Sequence, residues 1–452
     1  MADTFDAIVI GMGPGGEVVA WKLLEAGRRV AVVERELIGG ECAYWACIPS
    51  KTLLRPPEVR AEAGKAAGVG LPALDWPATA AWRDEMTRHL DDARQVKQYQ
   101  DKGALVLRGS GRLAGPGRVD VGGRTLTARD VVLATGSDPV IPPVEGLDQV
   151  EVWTNREATQ VREIPGRAVV VGGGPVGLEL GQFLARFGCR VTLVQSADRL
   201  INREDPRVGA LVREALVREG VEVRTGRRVV RASRRDGAAA VELDDGSTVV
   251  TDVVVVGAGR TPRAAGLGLE TVGVQPGRRG VPVDGGCRVA EGVWAVGDVT
   301  GVALFTHIAK YQGRVVASNL LGSPRGASYQ GVPRVVFTDP ELAAVGLTEA
   351  QAREQGHDVA TATVDLAASL SRPWTYEREP HGELGLVADR RRRVLLGAWA
   401  VAPLASEWIH QAAMAVRAAV PVDVLLDGVA QFPTWCEGFV TALERLRLEG
   451  GA

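Results

Sequence analysis

A chain of 452 residues is too long for one compact core, and domains of roughly 100–200 residues suggest about three. With 46% apolar and 24% charged residues and a formal charge of −2, the composition is that of a soluble globular protein; it offers no basic face for nucleic acid and no polybasic membrane anchor. No run reaches the ~18–20 apolar residues that cross a bilayer, and five cysteines are too few for a disulfide scaffold, so the expected compartment is the reducing cytoplasm.

From the amino terminus, Phe5-Asp6-Ala7-Ile8-Val9-Ile10 runs directly into a glycine motif and reads as a first strand rather than a signal peptide. The motif is Gly11-Met12-Gly13-Pro14-Gly15-Gly16, followed by a helix pattern to Gly27 and a second strand, Val30-Ala31-Val32-Val33, ending on Glu34. Gly11 serves the tight turn, Gly13 the approach of backbone to a pyrophosphate, and Gly16 the close packing of helix on strand. The unpaired N–H groups of the helix start face the phosphates. Glu34, 23 residues past Gly11, is placed to accept hydrogen bonds from a ribose diol.

Next in the chain, Cys42 and Cys47 sit five residues apart in Gly39-Gly40-Glu41-Cys42-Ala43-Tyr44-Trp45-Ala46-Cys47-Ile48-Pro49-Ser50-Lys51. In an ideal helix that spacing separates Cα atoms by ~8–9 Å, whereas a disulfide needs about 4.4–6.8 Å. Pairing therefore requires a distorted first helical turn, which would also bring a thiolate to a helix N-terminus and lower its pKa. For an arbitrary pair at this spacing, two buried cysteines that never meet is the favoured reading. Zinc would need further ligands, and no Cys or His pair lies at a suitable spacing.

The first design then recurs. Val169-Val170-Val171 precedes Gly172-Gly173-Gly174-Pro175-Val176-Gly177, a helix pattern runs to Gly188, and Val191-Thr192-Leu193-Val194 ends on Gln195. Equal 23-residue offsets in two full strand–turn–helix–strand contexts imply two dinucleotide sites. The acid Glu34 suits the adenosine ribose of FAD or NAD. The neutral Gln195, with Arg199 and Arg203 following but Ser196 immediately next, tolerates a 2′-phosphate and favours NADPH over NADH.

The Cys42–Cys47 run resembles the redox motif of the class I flavoprotein disulfide reductases, which include dihydrolipoamide dehydrogenase, glutathione reductase and mercuric reductase. The resemblance covers essentially the whole chain. Val132-Leu133-Ala134-Thr135-Gly136 is similar to the family's crossing out of the FAD domain, and Trp294-Ala295-Val296-Gly297-Asp298 to its second FAD motif, whose Asp binds the ribityl chain. Val335-Val336-Phe337-Thr338-Asp339-Pro340-Glu341 resembles the start of its C-terminal dimerisation domain. The resemblance implies that Cys47 is the flavin-proximal sulfur, Cys42 the interchange sulfur, and Lys51, paired with Glu179, the ammonium near flavin N5. It also implies that Thr135, Gly136 and Asp298 join Gly11, Gly13, Gly16, Glu34 and Lys51 on the cofactor side, with Gly172, Gly174, Gly177, Gln195 and Gly259 on the nicotinamide nucleotide.

One segment departs from the pattern. Disulfide-reducing members carry His-Pro-Thr-x-x-Glu near the C-terminus, where the His is the acid–base for the interchange thiol and the Glu orients it. Here it reads Phe432-Pro433-Thr434-Trp435-Cys436-Glu437. A phenyl ring neither titrates nor holds a thiolate, and loss of a positioned acid–base costs ~10²–10⁴ in rate. His307 and His410 read as structural or surface residues, and Cys436 as a small apolar filler. Asn202-Arg203-Glu204-Asp205-Pro206 resembles mercuric reductase, but the chain closes Glu449-Gly450-Gly451-Ala452 without that enzyme's vicinal cysteines, which disfavours mercury as substrate.

The expected fold is α/β, with two Rossmann-like dinucleotide-binding domains and a C-terminal α+β dimerisation domain. Residues 1–145 and 263–332 form the FAD-binding domain, 146–262 the NAD(P)H-binding domain, and 333–452 the interface domain, with an amphipathic, dimer-facing stretch at 404–419. The expected protein is a homodimeric, FAD-dependent NAD(P)H oxidoreductase that reduces a quinone-like or other small electrophile. The alternatives are a thiol–disulfide enzyme with a specialised substrate and a flavin-binding protein with vestigial chemistry.

Overall fold

The computed structural model describes residues 4–235 and 237–448; the tail Glu449 to Ala452, used above to disfavour mercury, lies outside them. In chain order the first elements are β1 (Thr4–Ile10), α1 (Pro14–Glu25), β2 (Val30–Glu34), α2 (Gly40–Tyr44), α3 (Cys47–Lys65), β3 (Leu105–Arg108) and β4 (Arg124–Leu133). A second series follows: β5 (Val152–Trp153), β6 (Arg167–Val171), α4 (Pro175–Arg186), β7 (Arg190–Gln195), β8 (Glu222–Thr225) and β9 (Val253–Val256). The chain continues with β10 (Val293–Ala295) and α5 (Thr306–Leu320). It then forms β11 (Pro333–Val336), β12 (Glu341–Gly346), β13 (Val359–Asp365), β14 (Glu383–Asp389), β15 (Val394–Ala402), α6 (His410–Ala418) and α7 (Glu437–Glu444).

The chain divides into two compact units, each assembled from three separated segments. The first draws on Met1–Pro49, Ala81–Val140 and Gly259–Ser328; the second on Ser50–Ala80, Ile141–Ala258 and Tyr329–Ala452. In the first unit a sheet runs in the order 288–290, β10, β4, β1, β2, β3, parallel from β10 to β3. Ala7 to Ile10 and Val30 to Val33 are unbroken buried apolar runs, as strands covered on both faces require. In register, Ile10 lies opposite both Val33 and Leu133, so β1, β2 and β4 end together at the glycine turn.

The second unit holds a parallel sheet, β8-β7-β6-β9-β5, built on the same plan. Both motif helices start with Pro at the first helical position, where its fixed φ suits the turn and its missing N–H costs nothing. They end before Gly27 and Gly188, at φ 71 and 94, where the predicted helix patterns stop. The same unit contains an antiparallel sheet, β11-β12-β15-β14-β13. There Gly385 faces Trp399 in register, and a Cβ on Gly385 would lie 2.2 Å from the indole. The expected helical stretch 404–419 is broken: Leu404 is left-handed at φ 57, a four-residue turn covers Ala405–Trp408, and α6 begins only at His410. Among the described residues no helix is long and apolar enough to cross a membrane.

Candidate active site

In the first unit the glycine turn makes a cradle that fits a dinucleotide. Gly13 is open on its Cβ side, where a side chain would occupy the space a pyrophosphate needs. A Cβ on Gly16 would meet the Gly11 carbonyl oxygen at 2.0 Å, so helix and turn approach as only glycine permits. Glu34 braces the turn, accepting from the Met12 N–H at 2.7 Å and the Glu36 N–H at 2.7 Å. Asp298 lies in a short 3₁₀ turn, Gly297–Thr300, and accepts from Ser137 Oγ at 2.6 Å. Arg260 donates to Ser137 Oγ and to the Ser137 carbonyl, both at 2.8 Å. Burial pushes the Asp298 carboxyl up, against the pull of the Ser137 hydrogen bond and the Arg260 charge. Thr135 Oγ1 donates to the Arg263 carbonyl at 2.8 Å; Gly136 and Gly259 have φ 77 and 120. An adenosine ribose, a pyrophosphate and a ribityl hydroxyl chain therefore each find matching groups within one unit.

The second unit repeats the cradle. Gly174 is open, a Cβ on Gly177 would meet the Gly172 carbonyl oxygen at 1.9 Å, and Gln195 Oε1 accepts from the Gly173 N–H at 3.1 Å. Gln195 thus braces its turn as Glu34 braces the first, with Nε2 donating to the Arg199 carbonyl at 3.5 Å. Arg199 is turned to the Asn202 carbonyl at 2.9 Å, and Arg203 is exposed.

The cysteines lie on two helices rather than on one distorted turn. α2 carries Cys42 and ends at Tyr44, Trp45 leaves helical geometry at φ −136 and ψ 3, and α3 starts on Cys47 itself. Both residues are thiols, hydrogen-bonded to each other. Cys47 Sγ lies 3.3 Å from the hydroxyl of Thr306, the first residue of α5. The Cys42 thiol is pushed up, first by its hydrogen bond to Cys47, then by burial and by the Cys47 charge; Thr306 and Lys310 pull the other way.

In the second unit Lys51 Nζ meets Glu179 Oε2 at 2.6 Å, with Glu179 nearly buried and Lys51 about one-third exposed. The other Glu179 oxygen accepts from the Phe337 N–H at 3.0 Å, and the Lys51 ammonium stands 4.7 Å from the Phe337 ring centre.

Residues 5–313 match the family described as pyridine nucleotide-disulphide oxidoreductase, and residues 332–443 match its dimerisation domain. The chain belongs to the pyridine nucleotide-disulphide oxidoreductase family. The dihydrolipoyl dehydrogenase of Thermus scotoductus is 38% identical over 455 residues, covering 98% of this chain and 97% of the relative. The mercuric reductase of Streptomyces lividans is 36% identical over 461 residues, covering 98% and 95%. Among solved structures, a Cu(II) complex of the HOCl-induced flavoprotein disulfide reductase RclA from Escherichia coli is similar at TM-score 0.88 and 27% identity, over 98% of this chain and 99% of that one. LpdA from Mycobacterium tuberculosis is similar at TM-score 0.87 and 28% identity, over 98% and 99%. This member of the pyridine nucleotide-disulphide oxidoreductases is an NAD(P)H-dependent flavoprotein oxidoreductase, using FAD, with α/β dinucleotide-binding and dimerisation domains.

The segment in which this family member departs from the disulfide-reducing pattern starts exposed, at Phe432 and Pro433, and turns inward at the buried Trp435. Phe432 is 74% exposed. Glu437, at the start of α7, accepts from the Thr434 N–H at 3.0 Å, so its carboxylate closes its own turn. Cys436 packs against the core of the dimerisation domain, and burial raises its thiol. His410 is exposed, and so is His307, which stacks on Phe305 at 5.1 Å. Several groups around the cysteines and Asp298 escaped the sequence reading: Thr306, Lys310, Ser137, Arg260 and Arg263. Glu41, next to Cys42, lies 3.7 Å from Arg260 and 3.9 Å from Arg263. No local motif marks these residues; only the pattern Thr306-His307 opening a helix after Asp298 could have drawn attention to them.

Proposed function

We propose that this chain takes a hydride from NAD(P)H, NADPH being preferred, and delivers two electrons to a quinone-like or other small electrophilic acceptor, with Cys42 and Cys47 as its redox-active pair. FAD, when bound, accepts the hydride and releases electrons onward. In this reading, 1–145 with 263–332 holds FAD, 146–262 holds the nicotinamide nucleotide, and 333–452 forms a homodimer in the cytoplasm. Gly11, Gly13, Gly16, Glu34, Thr135, Gly136 and Asp298 bind FAD; Gly172, Gly174, Gly177, Gln195 and Gly259 bind the coenzyme. Lys51, supported by Glu179, supplies positive charge that favours reduced flavin. Taking up two electrons and two protons opens the Cys42–Cys47 disulfide to the two hydrogen-bonded thiols.

The observation that carries the choice of acceptor is Phe432: exposed, apolar and in place of a titrating base. A quinone takes two electrons and two protons without a thiol to be managed, whereas exchange with a disulfide requires Cys42 as a thiolate. The hydrogen-bonded thiols favour a second reading, exchange with a specialised disulfide. Steady-state rates with quinones and with disulfides decide between them. Quinones should be the faster substrates. Phe432→His should raise disulfide turnover by ~10-fold, less than the ~10²–10⁴ of a fully positioned acid–base, and leave quinone turnover unchanged. Wild-type turnover of a simple disulfide faster than of any quinone sinks the first reading.

A further inference from the structure

We propose that Thr306 is the positioning residue for the Cys47 sulfur, its hydroxyl donating a hydrogen bond that favours the Cys47 thiolate of the reduced pair. The inference rests on the redox-pair reading of Cys42 and Cys47. It is carried by a direct contact inside the first unit: Thr306 Oγ1 stands 3.3 Å from Cys47 Sγ, although 259 positions separate the two residues. Cys47 opens α3 and Thr306 opens α5, so two helix starts meet at this sulfur. Both ends offer partial positive charge to an anion there. α5 is locked in place from two sides. A Cβ on Gly313 would lie 2.8 Å from the Gly15 carbonyl oxygen, so α5 packs on α1 at a distance that glycine allows. The buried Gln312 accepts from the Gly297 N–H at 2.7 Å and ties α5 to the turn that carries Asp298. Packed elements, rather than a loop, therefore hold the hydroxyl against the sulfur.

A hydroxyl donates or accepts, so this contact persists in each protonation state of Cys47. Its strength does not stay the same. With a thiol the hydrogen bond is weak; with a thiolate the hydroxyl donates to an anion, and such bonds are about twice as strong. That difference favours ionisation of Cys47. Thr306 also meets Cys42, but a protonated Cys42 donates, which leaves the one hydroxyl proton for Cys47. Above the Cys47 midpoint, two electrons from NAD(P)H and one proton open the disulfide to a Cys42 thiol and a Cys47 thiolate, and Thr306 keeps its own proton. Charged and titratable groups surround the pair from three helices. α2 brings Cys42, hydrogen-bonded to Cys47, and Glu41, which lies 3.7 Å from Arg260 and 3.9 Å from Arg263. α5 brings Lys310, whose charge reaches Cys42. On α3, Lys51 is paired with Glu179 at 2.6 Å. All of these charges stay in place when Thr306 becomes Val, which keeps the shape and loses the hydroxyl, or Ser, which keeps the hydroxyl.

The test is anaerobic two-electron reduction of the FAD-loaded protein by dithionite, with the long-wavelength absorbance of thiolate against oxidised flavin recorded across pH for wild type, Thr306→Val and Thr306→Ser. That absorbance reports the Cys47 thiolate, and Cys47→Ser should abolish it. Thr306→Val should move its midpoint up by about 1 pH unit, a ~10-fold loss of thiolate well below the midpoint, and Thr306→Ser should keep the wild-type profile. Superposed wild-type and Thr306→Val profiles overturn the role of Thr306 and leave the redox pair standing. So does an equal shift in both variants, which would trace to packing of the methyl group. Absence of the band in wild type, with two thiols gained on reduction, overturns it as well. A thiol count unchanged by reduction overturns the redox pair itself.

Discussion

At the scale of single residues, Glu34 and Gln195 perform one task with different charge. Each ends the second strand of its unit and accepts the N–H of the second residue of its glycine turn, Met12 at 2.7 Å and Gly173 at 3.1 Å. What differs is the charge offered to a ribose: a carboxylate repels a 2′-phosphate and an amide does not. NADPH should therefore be used at least as well as NADH, and Gln195→Glu should shift kcat/KM towards NADH by about 10-fold or more, read by initial rates with each coenzyme. A wild-type NADH preference that survives Gln195→Glu would place discrimination elsewhere. This pair was legible because the bracing residue stands at a fixed 23-residue offset inside a local βαβ unit. Thr306 and Lys310 were not legible. They lie about 260 positions from the cysteines, and no spacing rule links a helix start to a thiol that only folding brings to it. Glu437 was legible as a match to the family pattern, yet its use was not, because the Thr434 N–H that engages it is a backbone group.

At the scale of elements, α4 acts as a rail for the segment entering the dimerisation domain. Glu179, Gln182 and Arg186 recur at helical spacing, and each grips the stretch from Phe337 to Asp339. Gln182 both accepts from the Asp339 N–H at 2.8 Å and donates to its carbonyl at 2.9 Å; Arg186 reaches the Asp339 carboxylate at 2.7 Å, and Lys65 at 3.2 Å. Burial would raise the Asp339 carboxyl, but the Lys65 and Arg186 charges outweigh it and hold it below the ordinary range. A lowered carboxylate stabilises the fold above its unfolded pKa, and that stability is lost as pH falls through its folded one. Asp339→Asn should therefore cost about 1–3 kcal/mol in urea unfolding at pH 7, since it removes one of the two carboxylates, Asp339 and Glu219, that pair with the nearly buried Arg186 guanidinium. The gap to wild type should close below about pH 4. An equal gap at both pH values would mean that the amide disrupts packing rather than charge. The helix itself was readable from its glycine motif and its apolar period. The rail was not, because Asp339 lies some 150 residues beyond Arg186 and its partners are chosen by the fold.

At the scale of the whole molecule, apolar side chains stand exposed along the C-terminal region. Val429 is 98% exposed, Phe432 74%, Trp374 62% and Met414 53%, all within the stretch that matches the family dimerisation domain. Light scattering should give a mass about twice that of the 47.8 kDa chain, and Val429→Asp with Phe432→Asp should shift it towards monomer. A wild-type monomer at micromolar concentration would remove the homodimer from the proposed function.

The two units also share the chain in turn, each built from three segments that alternate along it. For a ribosome making the protein from its amino terminus, this ordering decides when anything can be finished. β1 finds β2 at once, but β4 waits beyond the first stretch of the other unit, and β10, which pairs with β4, comes only near residue 293. The first unit is incomplete until residue 328, and the second until its last segment has emerged. Long-range parallel pairings of this kind form slowly and leave apolar strand edges bare in the interval. A gene cut at residue 145 into two pieces should yield two aggregating fragments, since the cut separates β4 from β10, which pair only across that distance.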